Sequence, residues 1–223
     1  MNLIRYEWGP MNHVYEALAQ VRTIHRHILE KQRFRGYSGR ARAVSGCVAL
    51  AAAFWTAGHP TLDNPTRVFI WLGVAAIGAA VNYGAVLGWY LRDSSDARTA
   101  ATLKPAVEFL PSLFVGALLT LILWWDRAYN LLPATWMLLF GLGNLSSRYV
   151  ITRHIGWVGA FYIVAGTVVA FATPRTGLVN PWPMGLVFFV GEWLGGFIIH
   201  FDEREGAGWS TFWGLPLGTR TND

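Results

Sequence analysis

Five polar residues stand inside otherwise apolar stretches of this chain: Asn82, Glu108, Asn144, Arg148 and Glu192. An unpartnered carboxylate in such surroundings is strongly disfavoured, so Glu192 must be protonated, paired or open to water. Counted from Pro181 at about 1.5 Å per residue, Glu192 lies roughly 16 Å into its segment, near the middle. Asn144 stands at nearly the same depth on its own segment, and Asn82 lies one or two turns deeper. Arg148 follows Asn144 by four residues and shares its helix face, while Glu108 sits one turn inside its segment, four residues after Lys104. Together these groups could line a polar cavity opening inward. Glu192 would hold a cation or a proton there, and an Arg148–Glu108 pair would close the inner side. The same residues would serve equally as interhelical glue, each satisfied by a neighbour. Gly191 and Gly195 flank Glu192 as a G-xxx-G pair, whose first reading is close helix contact.

Other chemistry finds less support. H-E-x-x-H, G-x-S-x-G and phosphate-cradling glycine loops do not occur, which disfavours an enzyme. Cys47 is the single cysteine and sits in an apolar segment, so neither a disulfide framework nor a cysteine metal set is expected. His59, His154 and His200 fall at segment ends, where a haem or pigment would want a histidine within a span. No cofactor and no metal site are predicted, although bound lipid fits the composition. The net charge of +5 is explained by basic flanks, so no nucleic-acid partner is inferred.

The elements that must position these residues follow from composition. Of 223 residues 53% are apolar and only 14% charged, against roughly a quarter charged in soluble domains. Six stretches approach the roughly 20 apolar residues that cross a bilayer. They run from about Ala43 to Gly58, Val68 to Leu91, Pro105 to Trp125, Leu132 to Ile151, Ile155 to Thr173 and Pro181 to Phe201. Short, breaker-rich connectors make consecutive pairs antiparallel. The predicted fold class is therefore all-α: a polytopic membrane protein whose six transmembrane helices form three antiparallel hairpins, preceded by a cytoplasmic amphipathic helix. The domain reading is a basic segment over 1–42, a six-helix domain over 43–201 and an aromatic tail over 202–223.

Orientation follows from the positive residues. Fifteen of the 18 lysines and arginines fall on one side, and only Arg67, Arg127 and Arg175 on the other, which places both termini in the cytoplasm. No removable signal peptide is expected. Trp55, Trp71, Trp124, Trp125, Trp136 and Trp182 fall near the outer ends, Trp89 and Trp157 near the inner ones. An interfacial belt explains them, and a stacking platform for a ligand is the alternative.

Val14, Leu18, Val21, Ile24 and Ile28 recur at helical spacing after Asn12, giving an amphipathic helix that leads into Arg33, Arg35, Arg40 and Arg42. It could lie on the inner leaflet, pack under the bundle or dock on a partner. The tail carries Trp209, Phe212 and Trp213 among glycines, too apolar for a free linker. With Arg33 and Arg35 these aromatics form a candidate partner-binding set, for another membrane protein or a second copy.

Three groups of residues carry a resemblance: 17–24 (ALAQVRTI) with 37–39 (YSG), 109–120 (FLPSLFVGALLT) with 131–141 (LLPATWMLLFG), and 154–157 (HIGW) with the closing segment. With them the chain resembles a family of bacterial six-span integral membrane proteins to which no activity is attached. The resemblance covers most of the chain and implies six spans and a bacterial inner membrane. Its members tend to carry a histidine about where Glu192 stands, so no role of that histidine passes to this chain. Two functions are expected: an accessory or scaffold subunit of a membrane complex, or a small transporter or ligand-binding protein built around Glu192, Asn144 and Asn82.

Overall fold

A computed structural model of the chain describes residues 20–21, 38–92, 104–149, 151–172, 178 and 180–203. The chain divides into two units, Met1–Phe34 and Arg35–Asp223. In the first unit Gln20 and Val21 are described, both helical and exposed. Arg33, Arg35 and the tail residues Trp209, Phe212 and Trp213 lie outside the described residues.

The described part of the second unit is helical, with no strand among those residues. Its helices are α1 (Gly39–Ala57), α2 (Asn64–Arg92), α3 (Lys104–Trp125), α4 (Leu132–Ser146), α5 (Ile155–Ala172) and α6 (Trp182–Glu203). Three-residue 3-10 turns at Tyr129–Leu131 and Ser147–Tyr149 extend α4 at both ends. Local chemistry sets the boundaries. Ser38 is extended and accepts the Ala41 N–H to cap α1, while Pro65 and Pro133 occupy first-turn positions where a missing N–H costs nothing. Asn180 accepts the Trp182 N–H at the start of α6. Helix α3 ends in a Schellman closure: Ala128 N–H donates to Leu123 O and Arg127 N–H to Trp124 O, with Arg127 left-handed at φ 56°.

Among the described residues four helices are long and apolar enough to cross a membrane: Asn64–Gly88, Val107–Trp125, Ile155–Ala172 and Trp182–Phe201. This is compatible with an integral membrane protein, and the exposed Phe69, Phe114, Val164 and Phe171 suit contact with lipid. Sequence predicts six such spans, and two helices depart from that expectation. Helix α1 carries Arg40 and Arg42 among small residues, which lowers its mean hydropathy. Helix α4 has 15 residues, about 22 Å against the roughly 30 Å of a hydrocarbon core.

Packing also departs from three independent hairpins. The most extensive contacts join the first helix to the last, α1 to α6, and α4 to α5. Around the bundle the order is α2, α1, α6, α5, α4, α3. The consecutive helices α2 and α3 share at most marginal contact, so the ring is open between them. Small residues explain the tight pairs, because helices in lipid gain little from hydrophobic burial and associate through close packing. A Cβ on Gly39 would collide with the Gly196 carbonyl. A Cβ on either Gly141 or Gly159 would come within 2.8 Å of the other's carbonyl oxygen.

Candidate functional site

Helix α1 buries Gly39, Arg42, Ala43, Gly46, Ala49, Ala53 and Thr56 along one stripe, and Arg42 is the single long polar residue on it. That stripe faces α6, which brings Arg42 against Glu192. The pair is bidentate: Arg42 Nη2 donates to Glu192 Oε1 at 2.6 Å and Nε to Oε2 at 3.1 Å. Both Nη atoms also donate to Asn144 Oδ1 at 3.1 Å, and Asn144 Nδ2 donates to Phe140 O at 2.8 Å, which fixes the amide orientation. Tyr162 on α5 donates its hydroxyl to Glu192 Oε1 at 3.2 Å. Arg42, Asn144 and Glu192 are each no more than 5% exposed, and Tyr162 is fully buried.

Burying an ion pair is expensive, and it is tolerable here because the charges neutralise each other and the carboxylate accepts three donors. Glycines make the room. A Cβ on Gly195 would lie 2.7 Å from Arg42 Cζ, and one on Gly191 would strike the Tyr162 ring. The Gly191–Gly195 pair therefore seats two side chains, where the sequence pattern suggested contact between helix backbones.

The cluster forms one end of an apolar cavity of about 510 Å³ lined by α1, α2, α3, α4 and α6. Asn82 on α2 belongs to the same wall. Its Nδ2 donates to Ser45 Oγ and to Gly78 O, both at 2.9 Å, and Ser45 Oγ donates to Ala41 O. At the far end Trp136 Nε1 donates to Thr120 Oγ1 at 2.8 Å. Trp71 is 3% exposed and lines this cavity with Trp136, so these two do not belong to an interfacial belt. Trp125 and Trp157, at 87% and 75% exposed, are placed as a belt requires.

The sequence-predicted residues thus separate. Glu192 and Asn144 meet at Arg42, and Asn82 reaches the same cavity through Ser45. Arg148 turns away: it donates to the Tyr149 hydroxyl and lies over the Tyr149 ring at 4.6 Å. The Arg148–Glu108 closure expected from sequence is corrected by this geometry, since no ion pair joins them among the described residues. Sequence reasoning missed Arg42, Ser45 and Tyr162. Arg42 was grouped with the basic flank; its signal was its place on the small-residue stripe through Gly39, Gly46 and Ala53. No cluster of three metal-binding side chains occurs among the described residues.

No protein-family model matches the chain, and neither a curated protein nor a solved structure is significantly similar to it.

Proposed function

We propose that this chain is a membrane protein that binds a small amphipathic molecule in the cavity ending at Arg42, Glu192 and Asn82. The observation that carries the reading is the cavity itself. Its volume falls within the range of small-molecule sites, its walls are almost wholly apolar, and its few polar groups gather at the two ends. Ionic chemistry at Glu192 fits less well, because Arg42 occupies both carboxylate oxygens. The accessory-subunit reading rests on Trp209, Phe212 and Trp213, whereas the cavity lies among described residues.

Six spans, both termini in the cytoplasm and a bacterial inner membrane complete the proposal. Fifteen of 18 basic residues on one side support the orientation. The 3-10 turns lengthen α4 to about 34 Å between Tyr129 and Tyr149, enough to cross. The Glu192 carboxylate supports an inserted α1 by giving Arg42 a partner there.

The test is retention. The full chain is reconstituted into nanodiscs of synthetic diacylphosphatidylcholine, and denatured samples are searched by mass spectrometry. A stoichiometric small molecule that is lost from an Ala75→Phe variant, in which a ring enters the cavity, supports the reading. Identical profiles in both proteins would sink it.

A further inference from the structure

We propose that the cavity takes a lipid chain of matching length with an uncharged hydroxyl head, admitted sideways from the bilayer between α2 and α3. This deepens the binding role proposed above and rests on it. The lining of α2 runs from Trp71 to Tyr83 and that of α3 from Phe109 to Leu121. Each stretch advances twelve residues, about 18 Å along the helix axis. Over that length the cavity forms a bore roomy enough for an extended methylene chain. One extended methylene chain lies along such a bore at ordinary contact distances. At about 1.26 Å per carbon, from tetrahedral bonds of about 1.5 Å, that length holds about 14 carbons.

Entry is lateral because the ring is open there. Leu72, Ala75 and Ala79 on α2 and Leu113, Ala117 and Leu121 on α3 line the cavity and are nevertheless exposed. The opening lies between two of the apolar, membrane-length helices, so it faces hydrocarbon rather than water. A chain moving from bilayer to cavity gains no hydrophobic energy, since both surroundings are equally apolar. Selection must therefore come from fit and from the polar end.

That end calls for a neutral donor. Both Nδ2 protons of Asn82 are committed to Ser45 Oγ and Gly78 O, and the carbonyl partner fixes which amide atom is nitrogen. Among the described residues the Asn82 Oδ1 accepts no hydrogen bond, so it is left as the acceptor on the cavity wall. The neighbouring Arg42–Glu192 pair is neutral as a unit. A carboxylate head would set acceptor against acceptor at Asn82, and a charge of either sign would find no counterion, since Arg42 and Glu192 already neutralise each other. A hydroxyl donates to Asn82 without disturbing either.

The experiment uses the full chain in diacylphosphatidylcholine nanodiscs with tetradecanol carrying a mid-chain photoreactive diazirine. Cross-links are mapped by mass spectrometry. The expected result is saturable labelling of cavity residues of α2 and α3, with unlabelled tetradecanol competing at least tenfold better than octanol, eicosanol or tetradecanoate. Asn82→Ala should weaken competition about threefold to tenfold, the worth of one hydrogen bond. Ala75→Phe and Ala117→Phe, which plug the bore from opposite walls, should each abolish cavity labelling while retaining wild-type thermal unfolding. Labelling that survives both plugs and spreads equally over Val164 and Phe171 would mean bulk lipid contact only and overturn the proposal. Competition independent of chain length would overturn it as well. If a retained molecule is lost in Ala75→Phe yet tetradecanol does not compete, the ligand class fails while the binding role stands. If nothing is retained and nothing labels the cavity, both fall.

Discussion

Replacing Glu192 with Gln puts the buried cluster under its most direct test. The carboxylate accepts from Arg42 Nε, Arg42 Nη2 and the Tyr162 hydroxyl. A glutamine offers one oxygen, and its amide nitrogen then faces an Arg42 N–H, donor against donor. The guanidinium, 4% exposed, keeps its charge and loses its counterion. Removing one partner of a buried pair costs about 3–5 kcal/mol, and Arg42→Met should cost a similar amount by stranding Glu192. The double variant Arg42→Met with Glu192→Leu removes both charges at once. The Tyr162 hydroxyl loses Glu192 but keeps the Phe188 carbonyl as an acceptor at 3.5 Å, so the main remaining cost is Asn144 Oδ1, deprived of its two guanidinium donors, at about 1–3 kcal/mol. The double variant should therefore be more stable than either single one, with a coupling of at least about 3 kcal/mol. Reversible unfolding in mixed micelles titrated with a denaturing detergent measures all four proteins. A double variant whose loss equals the sum of the single losses would refute mutual compensation.

Three further outcomes follow from local geometry. Gly191→Ala drives a methyl into the Tyr162 ring and should cost about 1–3 kcal/mol, whereas Gly73→Ala and Gly84→Ala, with nothing within 4 Å, should be neutral or slightly stabilising in the same unfolding assay. Arg127→Gly relieves a left-handed residue at the α3 closure and should raise stability by about 0.5–1 kcal/mol, read as a higher thermal midpoint. Arg67, 1% exposed, donates to the carbonyls of His59, Pro60 and Leu62. Arg67→Ala should strand those carbonyls and speed proteolysis of the α1–α2 loop, and Arg67→Lys should rescue little because an ammonium lacks the guanidinium fork.

Hydropathy made the helical class and most helix positions legible, because long apolar runs broken by Asn-Pro, Leu-Pro and Pro-rich connectors leave little else to form. Depth along a helix is also legible, and it aligns Glu192 with Asn144 without showing that Arg42 bridges them. Adjacency was not. Nothing in a linear pattern says that the first helix of the bundle packs on the last, so sequence leaves Glu192 to a cation or a proton and pairs Arg148 with Glu108 instead. Arg42 was hidden by its neighbours, since counting positive charges treats Arg40 and Arg42 alike, although one is exposed and the other buried. Tyr162 reads as one aromatic among many until a carboxylate is placed beside it. Asn82 and Ser45, on adjacent helices, needed the helix order before they could be paired.

The pairing of the first helix with the last also sets a timetable. Arg42 and Glu192 are 150 residues apart. A ribosome adding about 5–20 residues per second needs about 8–30 s to make that stretch. Through that interval Arg42 is a cation without its carboxylate, and α1 gains its main packing partner only when α6 emerges. A chain cut short before residue 192 leaves the Arg42 guanidinium without its carboxylate, although Asn144 can still accept from it.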